Sequence, residues 1–279
     1  MKPVAGLSIL VAAMLVSLAL LSPSRALADE LPKDTNQIES LTPEQAKTLL
    51  AEFTGQTLDL NGLTTLNAAT AKALAEFKGD WLFFNGLTTL DAATTKALAE
   101  FTGQTLDLNG LTTLDADTAK ALAEFKGDWL HLDGLTTLDA DTAKALAEFK
   151  GQWLDLSGLT TLDADTAKAL AEFKGQWLNL SGLTTLDAAT AKALAGSAAW
   201  NGDLAAVTAL DTPDSVAIAQ ALATRKGPLS LRNLTKISPK TLTALIEKED
   251  VEIPLIETLE LIQEPDGSPT EDFVIPKGF

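Results

Sequence analysis

The residues best suited to chemistry fall in three columns that advance by 24 positions. The first reads Thr57, Trp81, Thr105, Trp129, Trp153, Trp177. The second reads Asp59, Phe83, Asp107, His131, Asp155, Asn179, and the third Asn61, Asn85, Asn109, Asp133, Ser157, Ser181. Trp beside Asp and Asn is the chemistry of sugar and peptide recognition, in which a ring supplies apolar contact and polar neighbours orient the ligand. The candidate ligand-binding residues are therefore Trp81, Trp129, Trp153, Trp177, Asp59, Phe83, Asp107, His131, Asp155 and Asn179. The Trp column fits a structural use equally, as packing over a sheet edge that shields a Phe column below. Thr stands in two units of that column, so the position tolerates a small polar residue and lies outside the deep core.

His131 is the only His. Asp107 and Asp155 fall one unit to either side of it, and imidazole and carboxylate both ligate metals. Flat neighbouring strands do not wrap an ion, so no metal site is expected and His131 reads as a solvated side chain. Acids occupy alternate units of the second column, which spaces them by about 10 Å, near one Debye length at physiological salt. That alternation fits charge spacing, and it fits a longer duplication too, since the run from Phe53 to Asn61 recurs unchanged from Phe101 to Asn109. Asn67, Asp91, Asp115, Asp139, Asp163 and Asp187 read as helix N-caps, where a carboxylate meets the positive end of the helix. Calcium bridging between units is the alternative, although the pattern is neither the Asp nonapeptide of calcium β-rolls nor an EF-hand loop.

Catalytic constellations are missing. With no Cys, no Tyr and a single His, and with neither G-x-S-x-G nor H-E-x-x-H, the common triad and zinc arrangements fall away. Repeated carboxylate pairs are scaffold before they are an acid/base dyad. No enzymatic activity and no cofactor are expected.

The elements that position these columns follow from the same period. Gly62, Gly86, Gly110, Gly134, Gly158 and Gly182 are spaced without a slip, each followed by Leu-Thr-Thr-Leu and a helical stretch. A fixed period of this length marks a solenoid, in which stacking covers the apolar surface that each unit leaves open. In the unit from Trp153, Leu154 and Leu156 alternate with polar residues, the strand period. Gly158 ends the strand at a tight approach or an unusual backbone angle. Ala167, Leu170, Ala171 and Phe173 recur at helical spacing, and Lys174-Gly175 is expected to end a helix of about three turns. Parallel strands in register about 4.8 Å apart would stack Leu154 on Leu130 and Leu178, and Phe173 on Phe149. The expected fold class is α/β, a solenoid of 24-residue strand–turn–helix units with a parallel sheet on the concave face.

The domain reading runs as follows. Residues 1–28 form a signal peptide, with Lys2 as its basic region, an apolar stretch from Val4 to Leu21 and a cleavage site at Ala26-Leu27-Ala28. An uncleaved anchor is the alternative. Residues 29–40 are a flexible leader. Residues 41–195 hold the regular repeats, opened by a capping helix with Thr42 as N-cap and Pro43 in its first turn. Residues 196–262 are divergent repeats and a C-terminal cap, in which Val207–Leu210, Leu234–Ile237 and Ile256–Leu259 echo Leu-Thr-Thr-Leu. Residues 263–279 are an acidic, Pro-containing tail, within which Phe273-Val274-Ile275 offers a last edge strand.

The unit L-x-L-x-G-L-x-x-L-(D/N)-x-x-x-x-K-A-L resembles the bacterial leucine-rich repeat, closest to the cysteine-containing class. Leu154 and Leu156 match the strand leucines, Leu159 the Cys or Asn position, Leu162 the Ile position, and Leu170 the later helical leucine. The resemblance covers residues 41 to 262 and is strong over 56 to 195. It departs where an apolar column, Leu63 to Leu183, replaces the family's buried polar ladder, so the turn must satisfy its backbone groups otherwise, with the Thr-Thr pairs as the available donors. The resemblance implies a curved solenoid that binds another macromolecule on its concave sheet.

The net charge of −17 becomes more negative by two once a leader holding Lys2 and Arg25 is removed. So acidic a surface repels phosphate backbones and anionic lipid, which excludes nucleic acid, and no second stretch is apolar enough to span a bilayer. The sequence therefore reads as an exported, noncatalytic binding protein of the periplasm, cell envelope or extracellular space, with a protein or a cell-wall polymer or glycan as partner. The alternative is a structural envelope spacer without a discrete ligand, favoured by the near-identity of the units.

Overall fold

The computed structural model describes residues 31–265 and 267; the expected signal peptide and the Phe273-Val274-Ile275 segment lie outside them. Six strands, β1 Thr57–Asp59, β2 Trp81–Phe83, β3 Thr105–Asp107, β4 Trp129–His131, β5 Trp153–Asp155 and β6 Trp177–Asn179, form one parallel sheet in sequence order. Each pair is in register at a 24-residue offset, with Leu58 opposite Leu82 and onward to Leu178. A seven-residue helix follows each of β1 to β5: α2 Ala68–Leu74, α3 Ala92–Leu98, α4 Ala116–Leu122, α5 Ala140–Leu146 and α6 Ala164–Leu170. An eight-residue helix, α7 Ala188–Ala195, follows β6, and α1 Pro43–Glu52 precedes β1. The solenoid expected from the period is the architecture of the chain.

Side-chain chemistry explains why each helix starts where it does. Asn67 and the five Asp residues of its column accept a hydrogen bond from the backbone N–H of the Thr three positions on, at 2.6–2.9 Å. Those N–H groups hold the Asp91, Asp115 and Asp163 carboxyls below the ordinary range, since a hydrogen bond to the ionised form favours it. The capped Thr residues are themselves buried and form a column of their own.

The helices are shorter than the expected three turns. Ala171 is the C-cap of α6, in right-handed helical geometry, and the chain then leaves through tighter bonds from Glu172 to Ala169 and from Phe173 to Leu170. Phe173 therefore lies beyond the helix. Gly175 is not a left-handed cap: a Cβ there would meet the Phe173 ring at 2.3 Å and the Gly151 carbonyl oxygen at 2.7 Å. The glycine is required by the Phe spine, not by the helix end.

The core runs along the stack. Leu58 to Leu178, Leu60 to Leu180 and Leu63 to Leu183 are three fully buried columns, and burying one such side chain stabilises the fold by about 1.5–3 kcal/mol. Phe77, Phe101, Phe125, Phe149 and Phe173 stack with centroids 6.1–6.3 Å apart and near-parallel planes. Phe53 joins edge-on at 5.8 Å, closing the spine at α1.

The expected flexible leader differs from what its described part, residues 31–40, does. A 3-10 turn at Thr35–Gln37 is capped by Asp34, Ile38 is buried, and Asn36 bonds to Asp59 and Asn61 of the first rung. An apolar anchor at Ile38 and a polar clasp at Asn36 cover the end of the stack. Thr42 and Gln45 then close a capping box on α1.

Beyond α7 the stack continues on two tracks. Trp200 bridges Leu178, Asp203 bridges Ser230, and β8 (Leu229–Ser230) pairs with β10 (Val251–Glu252). At the Leu-Thr-Thr-Leu echoes a second ladder forms from β7 (Ala209–Leu210), β9 (Lys236–Ile237) and β11 (Glu260–Leu261). The first two echoes align as the sequence suggests. The third is displaced by two residues, since Ile237 pairs with Leu261 and not with Leu259; an even shift keeps every side chain on its own face. Helices α8 Ser215–Ala223 and α9 Pro239–Ile246 extend the helical layer. Among the described residues no helix is long and apolar enough to cross a membrane.

Candidate functional site

All ten candidate residues stand on the same face of β1–β6, because each flanks the buried Leu of its strand. Trp129, Trp153 and Trp177 stack, with centroids 5.4 and 4.8 Å apart and planes within 16° and 13°. Their separation matches the strand spacing, so the sheet sets the stack. Trp81, Trp129 and Trp177 remain 45%, 44% and 40% exposed. They are large apolar groups left open to solvent on one side of the molecule, the usual mark of an interaction surface.

The carboxylates and amide of the second column differ in how many partners they have. Asp59 accepts from the Asn61 N–H and the Asn36 amide. Asp155 accepts from the Ser157 N–H and the Asn179 amide, and its other oxygen lies 3.9 Å from His131 Nδ1. Asn179 accepts in turn from the Ser181 N–H. These side chains satisfy the strand-to-turn backbone as well as facing outward. Asp107 is only 7% exposed, between Phe83 and His131, and its one hydrogen bond comes from the Asn109 N–H at 3.1 Å. Burial pushes its carboxyl up, against that hydrogen bond.

The third column, which yielded no candidate from the sequence, turns out to decide the local charge. Asn36, Asn61, Asn85 and Asn109 each accept from the backbone N–H of the next rung, ending at Asp133. This Asn ladder is what satisfies the turn. The Thr pairs contribute at some rungs, where the Thr112 and Thr184 hydroxyls donate to the Thr88 and Thr160 carbonyls of the preceding rung. At Asp133 the ladder changes column: Ser157 N–H goes to Asp155 instead. Asp133 Oδ1 is left buried and without a partner. Burial first, then Asp155 and Asp107, push the Asp133 carboxyl up. The sequence signal was the change from Asn to Asp to Ser along that column.

A carboxyl whose pKa is raised by folding opposes folding once ionised. The penalty is absent below the unfolded value, near ~3.9, grows as pH rises to the folded value, and is complete at neutral pH. Asp133→Asn is therefore expected to stabilise the fold by about 1 kcal/mol at pH 7. The gain should vanish near pH ~3, where the unfolded carboxyl is already protonated. Melting curves of the two chains at both pH values check this.

Among the described residues no group of three or more His, Cys, Asp or Glu side chains is arranged to hold a metal ion. His131 and Asp155 form a pair without a third ligand. No family model and no curated protein matches the chain.

Proposed function

We propose that the chain is an exported, noncatalytic recognition protein of leucine-rich-repeat type that binds a protein or polymer ligand across the outer face of β1–β6. The observation that carries this reading is the row of in-register Trp residues on one face, of which Trp81, Trp129 and Trp177 are exposed while Trp153 is half-buried between Trp129 and Trp177. A ring needed only to shield the core would be covered; Phe77 to Phe173, which do that work, are buried. Among the described residues, nothing brings Trp81, Trp129 or Trp177 below 40% exposure, which leaves these rings open to a partner. Export rests on the signal-like first 28 residues.

A glycan and peptide array probed with the purified protein tests the proposal. The protein should bind a defined subset of features, and Trp129→Ala with Trp153→Ala should lose them. Array binding that survives this double substitution would contradict recognition at the sheet face. The envelope-spacer reading is favoured by the near-identity of units 56–195; it requires a silent array and only bulk association with cell-wall material.

A further inference from the structure

We infer that the occupant of this face is a cationic peptide segment, with a Lys or Arg side chain seated at β3 between Trp81 and Trp129 and paired with Asp107. The inference rests on the reading of the sheet face as a recognition surface and names what that surface takes.

Rung β3 differs from its neighbours. Its outward residues are Thr105 and Asp107, whereas β2 presents Trp81 and Phe83 and β4 presents Trp129 and His131. A small polar residue and a carboxylate thus lie between two aromatic rungs. The shelter is visible in Thr105, 4% exposed, against Thr57, which has a Trp on one side only and is exposed. Asp107, in the same sheltered row, has no Lys or Arg partner among the described residues; its nearest cationic candidate is His131, whose ion-pair contact is with Asp155. One rung on, Asp133 Oδ1 is buried and unpartnered. A carboxylate taken from water without a counter-charge is costly until a cation arrives, and aromatic faces favour that cation over a neutral or anionic group.

The stack closes its central ring to a neutral sugar: Trp153 lies between Trp129 and Trp177, so both of its faces are taken. Among the described residues no ring stacks on Trp129 from the β3 side or on Trp81. Strand spacing places a group at β3 about 4.8 Å from the rung on either side. The chain itself holds a cation over Trp at that range: the Arg225 guanidinium carbon sits 4.8 Å from the Trp200 ring centroid. Strands β1–β6 contain no Lys or Arg, and His131 is their one basic residue. The exposed Trp rings extend from β2 to β6, about 19 Å at the strand spacing, which exceeds one amine and suits roughly six extended residues.

The test is calorimetric titration with three probes: a decapeptide of alternating Lys and Ser, the same peptide acetylated on every Lys, and the neutral glycan chitohexaose. The Lys peptide should bind, and acetylation should weaken it by at least about tenfold, one desolvated ion pair. Asp107→Asn should have a similar effect. Asp165→Asn makes the same charge change on the exposed first turn of α6 and should stay within about twofold of the parent. Equal binding of both peptides overturns the inference on the unmodified chain, whatever the variants do, and so does an absence of Lys-peptide binding. Equal effects of the two Asp substitutions overturn it as well, because that is general attraction to an acidic surface. Chitohexaose bound, indifferent to Asp107→Asn and lost with Trp129→Ala and Trp153→Ala, overturns the cationic ligand but leaves the sheet face as a recognition surface. Lys-peptide binding that survives the double Trp substitution overturns both.

Discussion

Gly158→Ala is expected to destabilise the fold by about 3 kcal/mol or more and to split its thermal unfolding into two transitions. A Cβ at Gly158 would stand 1.8 Å from the Asp133 carbonyl oxygen and 2.8 Å from that of Leu135. Both obstacles are backbone, so neither can turn aside. The glycine's φ lies outside the left-handed region, so the penalty comes from the spacing between rungs and not from backbone conformation. Pushing rung β5 away from β4 loosens three Leu columns and the Phe spine at once. In a stack where each unit contacts only its neighbours, one failed interface uncouples the halves on either side. Gly196→Ala is the internal control: it caps α7 in right-handed helical geometry, and nothing lies closer than 3.4 Å to the added carbon. It should be neutral or stabilising by about 0.5 kcal/mol. Calorimetric melting separates the two cases, and a single Gly158→Ala transition near that of the parent chain would refute the packing described for the turn.

Arg225→Met should cost a comparable amount, about 3 kcal/mol or more. The guanidinium donates to the carbonyls of Pro228 at 2.9 Å, Ser197 at 3.2 Å and Trp200, and it is 93% buried (7% exposed) over the Trp200 ring. Methionine fills similar volume but leaves those carbonyls without a donor in a place water does not reach. Arg225→Lys should not rescue, because one ammonium cannot span the acceptors that a planar fork reaches. Denaturant titration of both variants measures the loss. This clip ties Trp200, which bridges Leu178 of the regular stack, to the divergent unit that follows, so the C-terminal units should unfold first.

The 24-residue period made most of this fold legible. Each strand register, each Leu column, the Phe spine and the capping Asp residues follow from one repeated unit, because identical units can bury their leucines only by stacking in phase. What escaped depends on the places where units differ or where two elements compete. The helix C-terminus was misjudged because Gly175 has a second use, giving room to Phe173, that composition does not reveal. Trp200 stands 22 residues after Leu178 and pairs with it, so it turns inward. A Trp at the end of a Trp series gives no sign of that reversal until the register is known.

The site was legible in outline only. The outward columns were correctly placed on one face, but their unequal roles came from hydrogen-bond geometry. Asp59, Asp107, Asp155 and Asn179 each accept a backbone N–H two residues on, whereas Asp133 Oδ1 is buried without a partner and burial pushes the carboxyls of both Asp107 and Asp133 up. Alternating Asn and Asp in a sequence does not disclose where a ladder will change column.

The most direct measurement is a titration of whichever array ligand binds most tightly, against the parent chain and the chain carrying Trp129→Ala and Trp153→Ala. Both proteins must first show matching circular dichroism. A loss of at least about thirtyfold, the worth of one aromatic hot spot, is expected. An affinity unchanged within about twofold would contradict recognition through this face and leave the Trp stack as packing alone.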